Sequence, residues 1–274
     1  MNIQIVSDVH IEFWGKRDKY NFIKPSAPIL ALLGDICCCS TDDDFELYKG
    51  FINELLPQYE HIILVPGNHE YYFNAVNEHD KPQIKHTMEN IDKKIRQFCN
   101  KSKKLHFLNN NSISIKIGLQ KYTIIGTTLW SHIPNEMYDK MVEIMNDYSH
   151  IYLVDKYSER IRKLHASDVV KFHINSVKYI KNQVVKAKKN NSKLIVLTHH
   201  KPYTCEKYDP KTTYCGYETD LKNLMKDPII FWAYGHTHAH DNISINNIKI
   251  YSNPKGYPGQ KKVGYINNEK IYIE

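Results

Sequence analysis

The stretch "APILALLGD" runs apolar from Ile29 to Leu33 without a polar residue at every second position. A strand with one wet face alternates, so an unbroken apolar run needs cover on both of its faces. That need constrains the chain more than any other feature, because layers must lie on both sides of a sheet, as they do in α/β folds. Apolar runs that stop at a polar cluster recur in "HIILVPGNHEYY", "KLIVLTHH" and "IIFWAYGHTH", while "NIQIVSDVH" alternates Ile3 and Ile5 before Val6, a short strand. After the second run, "DDDFELYKGFINELLPQ" sets Phe45, Leu47, Phe51, Ile52, Leu55 and Leu56 at largely helical spacing, with acids at the start where the helix dipole favours them. The opening reads β, β, α, β. Every chemically interesting group falls just past a strand's C-terminal end, where open α/β sheets hold their ligands.

Further along, the pattern predicts a helix over 84–99, strands in "KLHFLN" and "ISIKIGLQKYTIIGTTLW" with a hairpin turn at 118–121, and an irregular segment at 131–157. A long helix at about 160–188, a short one near 219–226 and three or four closing strands complete the expectation. The chain of 274 residues is long enough for one large core, so 1–274 reads as a single domain, with lid segments around 131–157 and 203–218.

The first residues lack the basic start and apolar run of a signal peptide, and no window nears the ~20 apolar residues of a membrane span. A cytoplasmic protein without membrane contact is expected. Six cysteines, at 37, 38, 39, 99, 205 and 215, form no spaced framework, and neighbouring cysteines rarely meet disulfide geometry. Cys37, Cys38 and Cys39 are expected to be reduced and to pack as small apolar groups. The net charge of +7 comes largely from lysines such as those in "KNQVVKAKKNNSK". Such a stretch reads first as a solvated helix face and second as an attraction for a polyanion.

Five places bring His, Asp and Asn together at strand ends: Asp8 with His10, Asp35, Asn68 with His69, His199 with His200, and His236 with His238. Two residues apart at a strand terminus project to one side, so Asp8 and His10 can grip one cation as carboxylate and imidazole. Asp35 follows a Gly that allows close backbone approach, and Asn68 offers a neutral oxygen ligand. Each cluster alone is compatible with an ordinary turn or a satisfied core histidine.

In order, "DVH", "GDICC", "GNHE", "THH" and "GHTH" resemble the motifs of the calcineurin-like metallophosphoesterase superfamily. The likeness extends to "GTTLW", "MNDY" and "NPKGY", strings of a bacterial-type subgroup of small phosphohydrolases, and so covers nearly the whole chain. The resemblance implies a four-layer αββα sandwich of two mixed β-sheets flanked by helices. It implies that Asp8, His10 and His238 hold one metal, that Asn68, His199 and His236 hold a second, and that Asp35 bridges them. His200 competes with His199 for the ligand place and otherwise faces substrate. His69 matches the histidine that contacts phosphate and protonates the leaving oxygen. Two ions roughly 3.5–4 Å apart would clamp the phosphoryl oxygens and activate water for in-line attack. A donor set of N and O without thiolate suits two divalent or trivalent ions such as Mn, Fe or Zn.

Where some branches of the superfamily carry a second Asp, three positions after Asp35, this chain has Cys38. Trp130 is a candidate cleft wall or a core aromatic. Asn253, Lys255 and Tyr257 return to the strand ends after the last ligand, where Lys255 is placed to meet a phosphate unless "NPKGY" is only a turn. The expected activity is hydrolysis of a phosphomonoester or phosphodiester by metal-activated water, on a small phosphorylated substrate. The alternatives are a nuclease, for which nucleic acid would be the partner, and a binding scaffold without catalysis.

Overall fold

The computed structural model describes residues 1–14, 21–74, 79–204, 212–261 and 263–273. Thirteen strands run along the described residues. The first six are β1 (Asn2–Val6), β2 (Ile29–Leu33), β3 (His61–Val65), β4 (Leu105–Phe107), β5 (Asn111–Ile117) and β6 (Gln120–Thr127). They are followed by β7 (Tyr152–Val154), β8 (Ile161–Lys163), β9 (Lys193–Thr198), β10 (Ile229–Tyr234), β11 (Asp241–Ile245), β12 (Ile248–Ser252) and β13 (Ile271–Tyr272). The helices are α1 (Asp42–Leu55), α2 (Met88–Cys99), α3 (Tyr138–Ile144), α4 (Asp147–His150) and α5 (Ala166–Lys189).

One sheet has the order β13-β1-β2-β3-β4 and the other β11-β12-β10-β9-β6-β5, while β7 and β8 form a separate ribbon. In the first sheet β1, β2, β3 and β4 are parallel and β13 is antiparallel. In the second, β6, β9, β10 and β12 are parallel, with antiparallel β5 and β11 at the edges. Both sheets are therefore mixed, and the parallel strands carry the functional loops.

Strand periodicity sorts each apolar run into two layers. Ile3, Ile5, Ala31, Leu33, Ile63 and Val65 meet Ile124, Ile195, Leu197, Phe231 and Ala233 between the sheets. Their neighbours Leu30, Leu32, Ile62 and Leu64 face Phe45, Phe51, Ile52, Ile91 and Ile95 of α1 and α2. On the far side, Leu194, Val196 and Trp232 pack with Ile180 and Ala187 of α5. The result is the four-layer αββα sandwich, and the unalternating runs follow from helices covering the outer face of each sheet. Helix α1 starts where Thr41 caps it, its hydroxyl accepting from Asp44 N at 3.1 Å.

Several boundaries differ from the sequence expectation. Segment 131–157 is not irregular but holds a one-turn helix at Asn135–Met137, then α3, α4 and β7. The long helix starts late because residues 161–163 pair with β7, and Asp168 accepts from His165 N at 3.0 Å and pairs with Arg162 at 2.6 Å, which fixes the first turn of α5. The helix expected at 84–99 is broken at Thr87, where the turn Ile84–His86 ends and α2 begins. Near 219–226 only the turn Lys222–Leu224 forms. The last expected strand contracts to β13, which pairs with β1.

Candidate metal centre

All the sequence-selected ligands sit in loops that follow the C-terminal ends of parallel strands: Asp8 and His10 after β1, Asp35 after β2, Asn68 after β3, His199 after β9, and His236 and His238 after β10. Five of them have left-handed backbone, with φ of 52° at Asp8, 50° at His10, 53° at Asp35, 68° at His236 and 48° at His238. Each such residue costs of order 1–3 kcal/mol unless its surroundings hold it, although Asp and His tolerate the region better than most residues. Asp8 and His10 thus share a site because the chain hooks twice after β1, and simple strand alternation, as read from the sequence, is not the cause. The hooks need close backbone approach. A Cβ on Gly67 would stand 2.2 Å from Asp35 Oδ1, and one on Gly34, at φ 84°, would stand 2.5 Å from Gly67 N.

The side chains converge in two sets. His10 Nε2 and His238 Nε2 lie 3.1 Å apart, with Asp8 Oδ1 3.4 Å from His238 Nε2. His199 Nε2 lies 3.1 Å from both His236 Nδ1 and Asn68 Oδ1. Asp35 stands between them, with Oδ1 3.4 Å from His199 Nε2 and Oδ2 3.9 Å from His10 Nε2. Ligand atoms of Asp8, His10 and His238, and those of Asp8, Asp35 and His199, are within 4.8 Å of one another.

Hydrogen bonds to the far side of His199, His238 and Asn68 fix which of their atoms faces inward. His199 Nδ1–H donates to Leu33 O at 2.8 Å, which leaves Nε2 as the inward atom. His238 Nδ1–H donates to Gln260 Oε1 at 2.7 Å. The amide of Asn68 donates to Asp147 Oδ1 at 2.8 Å and to the Tyr72 hydroxyl at 3.0 Å, so its Oδ1 turns to the centre. Asp8 accepts from His236 N at 2.9 and 3.1 Å.

The donor set fits divalent cations. At His199 Nε2 the facing atoms are a carbonyl oxygen, a carboxylate oxygen and an imidazole nitrogen, an arrangement that requires positive charge in its midst. Burial pulls His199 down, but the carboxylates of Asp35 and Asp8 overcome it and raise this imidazole to about 10. A proton or a divalent ion meets the same demand. Asp35 itself, despite burial, is held well below the usual carboxylate range by His199 and His69.

His69 N donates to Asp35 Oδ1 at 2.8 Å, its ring stacks on Tyr72 at 4.2 Å, and its Nε2 is 3.3 Å from the Tyr257 hydroxyl. On the other side Glu12 Oε1 stands 3.5 Å from His69 Nδ1 and 3.8 Å from His10 Nδ1. Burial lowers His69, and Asp35 and Glu12 raise it further, to about 9.

Sequence reading missed two carboxylates. Glu12, half-buried in "SDVHIEF", faces two histidines, and its one signal in the sequence is an acid two residues past His10. Glu70, in "GNHE", accepts from Gly67 N at 2.6 Å, Asp35 N at 2.9 Å and Ile36 N at 2.8 Å, and so ties two ligand loops together. Burial and the Asp35 charge push Glu70 up to about 7 against those three donors.

Two expected substrate contacts lie elsewhere. His200 is buried, donates to Thr128 O at 3.3 Å and stacks on His236 at 4.1 Å, so it backs a ligand instead of facing a cavity. Lys255 turns away from the centre, its Nζ 4.3 Å from the Trp14 ring and under 6 Å from those of Phe22 and Tyr265. Its backbone does return to β1, with Lys255 N donating to Ser7 O at 2.8 Å. Trp130 is a core residue between Tyr71, Phe172 and His200. Asn253 staples Ile5 to Ile266, and of "NPKGY" only Tyr257 reaches the site, over His10 at 4.3 Å.

The three consecutive cysteines are buried in the core beside α1. Cys38 Sγ donates to Glu12 Oε1 at 3.5 Å, and burial together with that carboxylate pushes its thiol far up, so it stays protonated. Cys37, Cys38, Cys39, Cys99 and Cys215 are free thiols, and Cys205 lies outside the described residues.

A cavity of 320 Å³ opens over the centre, with Asp35, Asn68, His236 and His238 at its base. Of segment 131–157, Ile144, Met145, Asn146 and Asp147 form part of its wall. Of segment 203–218, Tyr217 lines it, and 205–211 lie outside the described residues. No described helix is long and apolar enough to cross a membrane.

Comparison with known proteins agrees with this geometry. The model of the calcineurin-like phosphoesterases matches residues 1–240. The uncharacterized protein L509 of Acanthamoeba polyphaga mimivirus is 31% identical over 297 aligned positions, covering 99% of this chain and 98% of that protein. The crystal structure of phosphopantetheinyl hydrolase from Mycobacterium tuberculosis superposes with a TM-score of 0.69 at 15% identity, over 94% of this chain and 90% of the other, a likeness of fold. The chain belongs to the calcineurin-like phosphoesterase family.

Proposed function

We propose that the protein hydrolyses a small phosphate ester at a centre of two divalent ions, of borderline kind such as Mn, Fe or Zn. Asp8, His10 and His238 would hold one ion and Asn68, His199 and His236 the other, with Asp35 placed between the two sets. The supporting observation is the division of Asp35, with Oδ1 toward His199 and Oδ2 toward His10. When bound, such ions supply Lewis acidity toward phosphoryl oxygens and a water nucleophile at neutral pH.

The chain's own groups do the rest. His69 stands with Nδ1 3.5 Å from Glu12 Oε1, and its Nε2 is the atom placed to give a proton to the departing alkoxide, a step worth roughly 10²- to 10⁴-fold. Asp147 and Tyr72 hold the Asn68 carbonyl inward. Neither Lys nor Arg is among the described residues lining the cavity, so the basic charge is spent elsewhere and a polyanionic nucleic-acid substrate loses support.

The test is a panel on Mn-reconstituted protein: an aryl monoester, an aryl diester, a cyclic nucleotide and single-stranded nucleic acid, with Asn68→Ala as control. Hydrolysis of small esters, lost in the control, is expected. Absence of both stoichiometric metal and hydrolysis would make the scaffold the better account.

A further inference from the structure

Beyond the metal-side cavity lies a second one of 490 Å³, and the two share His69, Tyr72, Asn146 and Tyr257. The new walls are Phe13, Asn74, His150 and Pro258. We infer that this cavity holds the leaving alcohol, and that the alcohol carries a flat, uncharged aromatic ring of the nucleobase kind. The inference rests on the phosphoesterase reading and adds the substrate class to it.

Position is the first ground. His69 lines both cavities, and the alkoxide that leaves a phosphoryl group held over the metal side departs toward the Nε2 that protonates it. The alcohol therefore emerges on the far side of His69.

The lining is the second. Phe13 is 53% exposed and Tyr257 39%, uncommon for aromatic rings that could pack, and they meet edge to face at 5.6 Å. Opposite them Tyr72 stacks with His150 at 5.4 Å. Exposed π faces beside a reacting centre favour a ring that stacks, and no Lys, Arg, Asp or Glu is present among the described lining residues to pair with a charged alcohol.

Rigidity is the third. Phe13 N donates to His10 O at 3.0 Å, and Gln260 Oε1 accepts from both Tyr257 N and His238 Nδ1. Both exposed rings are thereby tied to metal-ligand loops, and a stacked base would be held in register with the phosphoryl group.

The test compares a nucleoside 5′-monophosphate with methyl riboside 5-phosphate on the Mn-reconstituted chain. Both release the same primary alkoxide, so intrinsic reactivity cancels. A ratio of kcat/KM of roughly 5- to 150-fold in favour of the nucleotide is expected, the range of base–aromatic stacking. Phe13→Ala should shrink that ratio and Phe13→Tyr should keep it, which a merely structural role for Phe13 would not produce. A ratio near one, or a ratio unmoved by Phe13→Ala while an aryl phosphate is still cleaved, overturns this inference alone. Hydrolysis of no ester at all overturns the phosphoesterase reading and this inference with it.

Discussion

Asp147 touches no candidate ion, yet the geometry makes it decisive for one. Its Oδ1 accepts from the Asn68 amide at 2.8 Å and from the Tyr72 hydroxyl at 2.5 Å. Asp147→Ala removes the acceptor that holds the Asn68 nitrogen outward. The amide then keeps only its bond to the Tyr72 hydroxyl and rotates more readily, and in the flipped state it presents NH₂ where a cation needs an oxygen. Loss of such an outer hydrogen-bond partner typically costs about 10- to 100-fold in metal affinity, or about 1.4–2.7 kcal/mol. The assay is a Mn titration of metal-free protein in competition with a fluorescent chelator, followed by turnover against free Mn. One of two binding steps should weaken by that factor, and saturating Mn should recover most of the turnover. Asp147→Asn retains an acceptor oxygen and should shift the step by under about fivefold. A natively folded Asp147→Ala protein with both steps unchanged would refute the reasoning.

Glu70→Gln leaves one of three buried backbone N–H groups facing an amide NH₂, so stability should fall by about 1–3 kcal/mol, read as a lower Tm in thermal denaturation. Gly67→Ala drives a methyl into Asp35 and should abolish stoichiometric metal binding, measured by elemental analysis of folded protein. Lys255→Met keeps the packing among Trp14, Phe22 and Tyr265 but loses the cation–π contact, so it should cost about 0.5–2 kcal/mol in chemical denaturation while leaving KM for a phosphate ester unchanged. Cys38→Ser should leave metal content unaltered by elemental analysis, because the thiol meets Glu12 and not the centre.

Runs such as Ile29–Leu33 dictated double-covered strands, since no other placement buries every side chain, and the polar residues that end those runs named the centre in advance. Element limits in 131–157 and 160–165 were less legible. There the ribbon β7–β8 and the Arg162–Asp168 pair depend on partners distant from any local period. The choice of His199 over His200 was likewise open in the sequence. Adjacent residues point oppositely, and only the Leu33 carbonyl and Asn68 show which one faces the candidate centre.

The string around Cys38 shows the same division. From the sequence, Asp35 after its Gly was selected as a candidate ligand, because close backbone approach and a carboxylate at a strand end are local properties. That Glu12 from the β1 loop lies beside Cys38 and His69 was decided by tertiary structure alone. So were the outward turn of Lys255 and the aromatic cavity beyond His69, since each depends on which loops the two sheets bring to one edge. Local chemistry selected the candidate ligands and determined the layers, and packing determined what surrounds them.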